Sequence, residues 1–161
     1  MPAMSIPSLP PLLSEPDSTA RFINPPGLYD PRPNGYSHVV IAPADARMVY
    51  VAGQGGERPD GSLPTGFGEQ VAQALRNMQL ALAAADADVS HVLRLCVLVV
   101  DHDESRLAVL SQALRTVWAQ WELPACTLIP VPRLALDGML FEVEATAAVP
   151  APGMSAARDF A

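Results

Sequence analysis

The feature that most constrains this chain is a nearly unbroken apolar run from His91 to Val100, VLRLCVLVV, set between two stretches of helical periodicity. A strand this apolar suits a place covered on both faces. Before it, Phe67, Val71, Leu75, Met78 and Leu82 recur at spacings of 4, 4, 3 and 4, flanked by Ala74, Ala81 and Ala85. That is one stripe of an amphipathic helix. Thr65 is its expected N-cap, and Glu69 lies in the first turn, where a carboxylate is favoured. After the run, Leu107, Leu110, Leu114, Val117 and Trp121 recur at 3, 4, 3 and 4. This predicts a second helix, capped by Asp103 or Ser105 and ended by Pro124.

The flanks read as strands. His38 to Ala42 and Arg47 to Ala52 are short β-rich runs separated by Pro43-Ala44-Asp45, which predicts a hairpin. Gly53 to Thr65 is a loop by its Gly, Pro, Asp and Ser content. Two further strands, Cys126 to Val131 and Met139 to Val149, are joined by a turn at Ala135 to Gly138. The order is β-β-α-β-α-β-β. Two helices with one apolar stripe each lie most simply on one face of a four- to six-stranded sheet. With no third helix available, the other face is expected to be covered by another subunit.

Length and composition limit the function. The chain has 161 residues, half of them apolar, which is enough for one ordinary domain with a real core. Nine of the seventeen prolines fall in residues 1–33. Residues 1–34 therefore read as an extended arm that packs on the domain near Phe22-Ile23, residues 35–150 as the domain, and 151–161 as a loose tail. Seventeen acidic residues against ten basic ones give a net charge of −7 and a pI near 4.7. Such a surface repels phosphate backbones, so nucleic-acid binding is not expected. All ten basic residues are Arg. Without Lys there is no Schiff-base lysine, pyridoxal-phosphate anchor or P-loop lysine. Three scattered histidines make no metal-ligand spacing. Two cysteines, Cys96 and Cys126, read as free thiols. No apolar run is long enough to span a membrane and no secretory signal opens the chain, so a cytoplasmic protein is expected.

Several segments together resemble one family. They are RMVYVAGQ, then EQVAQALRNMQLALAAADADVSHVLRLCVLVVD, then PACTLIPVPRL, and last GMLFEVEATAAV. GYSH at 35–38 is similar to a G-x-Y-S-Q signature. From Gly35 to Val149 the chain resembles the Rid family (YjgF/YER057c/UK114, endoribonuclease L-PSP-like). The resemblance implies a chorismate-mutase-like α+β fold with a mixed sheet and two helices on one face. It also implies a homotrimer, with clefts at the subunit interfaces, that hydrolyses reactive imines and enamines of small metabolites without a cofactor.

One departure stands out. The family motif P-A-R-[ST]-C carries an Arg that clamps a substrate carboxylate. Here the residues are Pro124-Ala125-Cys126-Thr127-Leu128, so Cys126 stands in the Arg position and Leu128 in the Cys position. A thiol cannot replace a bidentate Arg–carboxylate pair. The chain thus resembles an Arg-lacking member, with a substrate other than the usual 2-imino acids.

The resemblance assigns Glu142 as the group that positions or deprotonates the attacking water, against a bland reading as a polar residue on a sheet face. Glu144 shares that face by alternation and reads as an interface carboxylate. Tyr36, Gly53, Gln54, Cys126, Thr127 and Leu128 are the implied substrate-binding residues. Tyr36 would cover the cleft, the backbone at Gly53 and Gln54 would approach it, and Thr127 with the Leu128 N–H would donate to substrate. Cys126 reads as pocket lining rather than nucleophile, because no base or cation neighbours it in sequence. Cys96 is core. His38 replaces the family Gln and reads as a strand-start residue or a titrating group. Arg133 reads as a surface charge or a displaced anion clamp. The alternative to an enzyme is a non-catalytic trimeric protein that binds a small ligand. A ribonuclease is disfavoured by the acidic pI and the lack of a basic-aromatic patch.

Overall fold

The computed structural model describes residues 19–151; the first eighteen residues of the arm and most of the tail lie outside it. The apolar run forms β4 (Val92–Val100), an interior strand of a four-stranded sheet ordered β3-β6-β4-β5. β3 (Arg47–Gly55) and β6 (Phe141–Val149) are antiparallel, as are β6 and β4, whereas β5 (Ala125–Val131) runs parallel to β4. A parallel neighbour requires a crossover, and α2 (Glu104–Val117) supplies it. The other helix, α1 (Phe67–Ala83), connects β3 to β4.

Both helices lie on one face. Val71, Leu75, Met78 and Leu82 of α1 and Leu110 and Leu114 of α2 are buried against Leu95, Val97, Phe141 and Val143 of the sheet. Gln70, fully buried on α1, ties this layer to two loops. Its Nε2 donates to the carbonyls of Pro64 and Gly138, and its Oε1 accepts from the Leu140 N–H, all at 2.8 Å.

Four expectations are corrected. The predicted hairpin does not form. β2 (Val39–Ile41) pairs antiparallel with β1 (Arg21–Ile23), and β3 pairs with β6. The connection between β2 and β3 passes through Asp45 at φ 56°, and the nine-residue β3 finds its equal in β6 rather than in a three-residue strand. Gly66, not Thr65, is the N-cap of α1 and makes no side-chain cap bond. On α2 the cap is Asp103, which accepts from the Arg106 N–H at 2.8 Å. This helix ends at Val117, well before Pro124. Hence Trp118 enters the core, with its Nε1 donating to the Val89 carbonyl, while Trp121 stays 38% exposed.

Candidate functional site

Strand alternation and register divide the sequence-predicted residues between the two faces of the sheet. Cys126 pairs in register with Leu95, and Leu128 with Val97, so both point to the helix side and pack against the core. Glu142 pairs with Leu98 and Glu144 with Cys96 on the opposite, open face, so Cys96, expected in the core, is half-buried on that face instead. Thr127 joins them there, in register with Cys96 and exposed.

On the helix side, Tyr36 meets Cys126 because the segment around Ser37 runs beside β5. Ser37 bridges to Ala125 in parallel fashion, and its N–H donates to the Pro124 carbonyl at 2.9 Å. Gly35 makes this approach possible. It has a left-handed φ of +82°, and a Cβ there would sit 3.0 Å from the Leu114 Cβ. Tyr36 touches Tyr29 and His38 edge-on, with ring centroids 6.4 and 5.5 Å away. The Tyr29 and Tyr36 hydroxyls are hydrogen-bonded. His38 Nε2 lies 2.9 Å from the Tyr29 carbonyl, so this ring holds the loop together.

These residues open into a cavity of about 300 Å³ between α2 and β5. Its apolar wall is Leu107, Leu110 and Leu114 with Cys126 and Leu128. Its polar rim is Tyr29, Asn34, Tyr36 and His102. Burial pushes the Cys126 thiol up to about 12, with Cys96 adding to the rise and Arg94 opposing it. The thiol is therefore neutral at pH 7 and a poor nucleophile. Burial, then the bond to Tyr29, likewise raises Tyr36 to about 12.

On the open face, Glu142 lies against Gly53. A Cβ at residue 53 would overlap the Glu142 carboxylate, so glycine there is what lets the backbone approach it. A register shift between Val51 and Gln54 marks the place. The Gln54 side chain folds back, donating to the carbonyls of Ala52 and Gly53 at 3.1 and 3.2 Å. Desolvation raises the Glu142 carboxyl above its ordinary value, and the charges of Glu144 and Glu57 push the same way. A carboxylate so placed holds a proton more readily than an ordinary glutamate, which suits it to proton transfer. Arg133 is an exposed charge paired with Asp137 at 2.9 Å.

One protomer thus assembles two half-sites, Tyr36–Cys126–Leu128 on one side and Glu142 with the Gly53 backbone on the other; Gln54, beyond the register shift, pairs with Val143 and is not brought to Glu142. Tyr29, Asn34 and His102 were missed by sequence reasoning. No periodicity or motif marks them; the only available signal is the run of Tyr29, Tyr36 and His38 just ahead of β2. Among the described residues no group of three His, Cys, Asp or Glu is placed to hold a metal ion, and no helix is long and apolar enough to cross a membrane.

Two helices on one face of a mixed β3-β6-β4-β5 sheet, with a glutamate and a cavity on its two sides, define an α+β protein of the Rid/YjgF type. Residues 30–149 match the family model described as Endoribonuclease L-PSP, and the chain belongs to this family. It is 32% identical over 114 residues to the rat (Rattus norvegicus) 2-iminobutanoate/2-iminopropanoate deaminase, covering 70% of this chain and 78% of that protein. Among solved structures, the conserved Rid-family protein YyfB of Yersinia pestis, itself of unknown function, superposes with a TM-score of 0.77 at 32% identity. The match covers 81% of this chain and 99% of that one. RidA of an Antarctic Psychrobacter gives a TM-score of 0.58 at 27% identity over 71% and 88% of the two chains.

Proposed function

We propose that the protein is a cofactor-free hydrolase of C=N or enamine bonds in a small metabolite. In this reading it works as a homotrimer, in clefts where the open face of one copy meets the Tyr36–Cys126 cavity of the next. The observation that carries the reading is Glu142: a partly desolvated carboxylate of raised pKa, held beside a glycine on the strand that matches the family's own glutamate strand. The deaminase named among its relatives supports the reaction class.

The chemistry is simple. Water adds to the imine carbon, and the C=N electron pair moves to nitrogen. Glu142 accepts the proton released by water and returns it to the departing amine. As the C–N bond of this carbinolamine breaks, the remaining hydroxyl proton passes through the same carboxylate to the nitrogen, the O–H electron pair forms the carbonyl, and a carbonyl compound and ammonia leave. Thr127 and the Leu128 N–H orient the substrate. Cys126 supplies no anion clamp, so 2-imino acids are not the preferred substrates. The test is ammonia release from a panel of freshly generated imines that vary in charge. Turnover of at least one neutral imine above the uncatalysed rate supports hydrolysis. Saturable binding of the panel with no ammonia from any member would make the protein a small-ligand binder instead, a reading that the clamp-free cavity favours.

A further inference from the structure

The glycine segment at the end of β3 is held from α1 as well as from the sheet. The β3–β6 register passes from Val51–Ala145 to Gln54–Val143, which leaves Ala52 and Gly53 without register partners. Yet Gly53 is the residue that lies against Glu142. Its place is therefore set by the chain on either side of it.

On the far side, one helix face grips three consecutive residues. Asn77 Nδ2 donates to the carbonyls of Gly55 and Glu57, at 2.9 and 2.8 Å. Between them Gly56 packs directly on Gln70, where a Cβ would sit 2.8 Å from the Gln70 Cα and Cβ. Asn77 is itself oriented. Gln73 Nε2 donates to its Oδ1 at 2.9 Å, so the amide nitrogen is the end turned to the segment. Arg76 donates in turn to Gln73 Oε1 at 2.9 Å. Gln70, Gln73 and Asn77 stand at i, i+3 and i+7 and form one polar row beside the apolar stripe of α1. A side chain at residue 77 that cannot donate would leave two part-buried carbonyls unpaired, a cost that displacement of the segment relieves.

Glu57 rides on the same segment. Gly55 is in register with Glu142, and a Cβ on Gly55 would overlap the Glu57 carboxylate. Residues in register share a face, so Glu57 also lies over the open face.

We infer that Asn77, oriented by Gln73, is a positioning residue: it holds residues 55–57 against α1 and thereby keeps the Gly53 backbone over the Glu142 carboxylate. This rests on reading Glu142 as the working carboxylate of the site. Asn77 touches no substrate; it acts through the segment.

Several charged and titratable groups surround Glu142. Glu144 stands beside it on β6 and Glu57 comes from the segment. Cys96 lies further along the face, level with Glu144, and Arg94 and Tyr50 lie level with Thr146. In the assembly proposed above, the Tyr36–Cys126 cavity of the next copy faces it too. A neutral substitution at residue 77 changes none of these charges, so a change in the Glu142 titration reports displacement of the segment.

Two measurements on the full-length protein test this. Carboxyl-carbon NMR, with Glu142 assigned through Glu142→Gln, follows the titration without any turnover. Asn77→Leu is close in shape but cannot donate. It should let water reach Glu142 and bring its midpoint down toward the ordinary glutamate range. For any imine that proves a substrate, kcat should fall about 10- to 100-fold with KM little changed. Gln73→Met frees the Asn77 amide to turn and should move both readouts the same way, by less. Leu82→Val, a core change five residues along the helix, should lower Tm and move neither. An unchanged Glu142 titration in Asn77→Leu, or in Gln73→Met should the first not fold, overturns the inference. An equal change in Leu82→Val overturns it as well. If no imine is hydrolysed but the titration moves, the hydrolase reading falls and the positioning stands. If imines are hydrolysed and the titration moves while kcat does not, the role of Glu142 falls and the positioning stands. If imines are hydrolysed and neither readout responds to residue 77, the positioning falls alone.

Discussion

Cys126 and Glu142 stand on opposite faces of one sheet. Cys126 is in register with Leu95 on the helix side, and Glu142 with Leu98 on the open side, so the sheet itself separates them. A single copy of the chain cannot present both to one small molecule. The chemistry proposed above therefore depends on assembly, which makes oligomeric state the first quantity to measure.

Three 17.1-kDa chains sediment near 51 kDa, and that species is expected at micromolar concentration. The open face carries Tyr50, 78% exposed, with Met48 and Ile129 at 39% and 42%. Tyr50→Glu puts a charge into this patch and should shift the protein toward monomer in analytical ultracentrifugation, with loss of any imine hydrolysis. A wild-type monomer at that concentration would refute the shared cleft.

Turnover of 2-iminobutanoate or 2-iminopropanoate should be weak. Losing one charged bidentate contact costs on the order of 2–5 kcal/mol of binding, roughly 30-fold to several thousand-fold. Cys126→Arg should recover part of that in kcat/KM. Brisk wild-type turnover of these imino acids would show that another group supplies the anion site.

Glu142→Gln keeps shape and removes the base, so kcat should drop about 10²- to 10⁴-fold with the trimer intact. Glu144→Gln, on the same face but more exposed, should cost far less. Because desolvation raises the Glu142 carboxyl, the acidic limb of the pH–rate profile should lie above the ordinary glutamate range and disappear in the Gln variant. Stability carries the same sign. The raised group favours the folded state below its unfolded-state pKa, and that contribution fades as pH climbs through the folded-state pKa. Denaturant melts should show wild type gaining on Glu142→Gln as pH falls. Equal small activity losses from both substitutions would sink the assignment.

Gly53→Ala separates position from chemistry. The new methyl would meet the end of the Glu142 side chain, which is flexible and can swing away. The expected result is a stability change within about 0.5 kcal/mol with a clear fall in kcat. Full activity in this variant would mean that Glu142 does its work from another rotamer or does none.

The Cys126 thiol, pushed up to about 12 by burial, should resist alkylation. Peptide mapping after iodoacetamide at pH 8 should show modification at least about 100-fold slower than for a free cysteine. Fast labelling would instead point to an activated thiol and reopen covalent chemistry.

Local pattern was enough for the elements that carry most of the core. The 4-4-3-4 stripe from Phe67 to Leu82 and the apolar run ending at Val100 each record, in the sequence itself, which faces must be dry. Alternation also put Glu142 and Glu144 on one face without any structure, since strand neighbours two apart always share a side. The family segments supplied the fold, because their order along the chain is itself a record of topology.

Pairing between distant segments was a different matter. The partners of β2 and β3 were misread because a hairpin is a local guess, whereas the real pairings, Phe22 with Val40 and Val49 with Ala147, were settled by which strands match in length and burial. Trp118 replaced Trp121 in the core for the same kind of reason: the helix stopped early, and the indole found a carbonyl at Val89 across the fold. The cavity was hidden altogether. Tyr29, His102 and Leu128 have no sequence relation to one another; they meet because β5 runs parallel to β4 and α2 must cross over between them. The sequence determined what each segment buries, since burial follows from periodicity within a dozen residues. Only the tertiary structure decided which side chains face each other, because that depends on strand register and crossover, which no local pattern encodes.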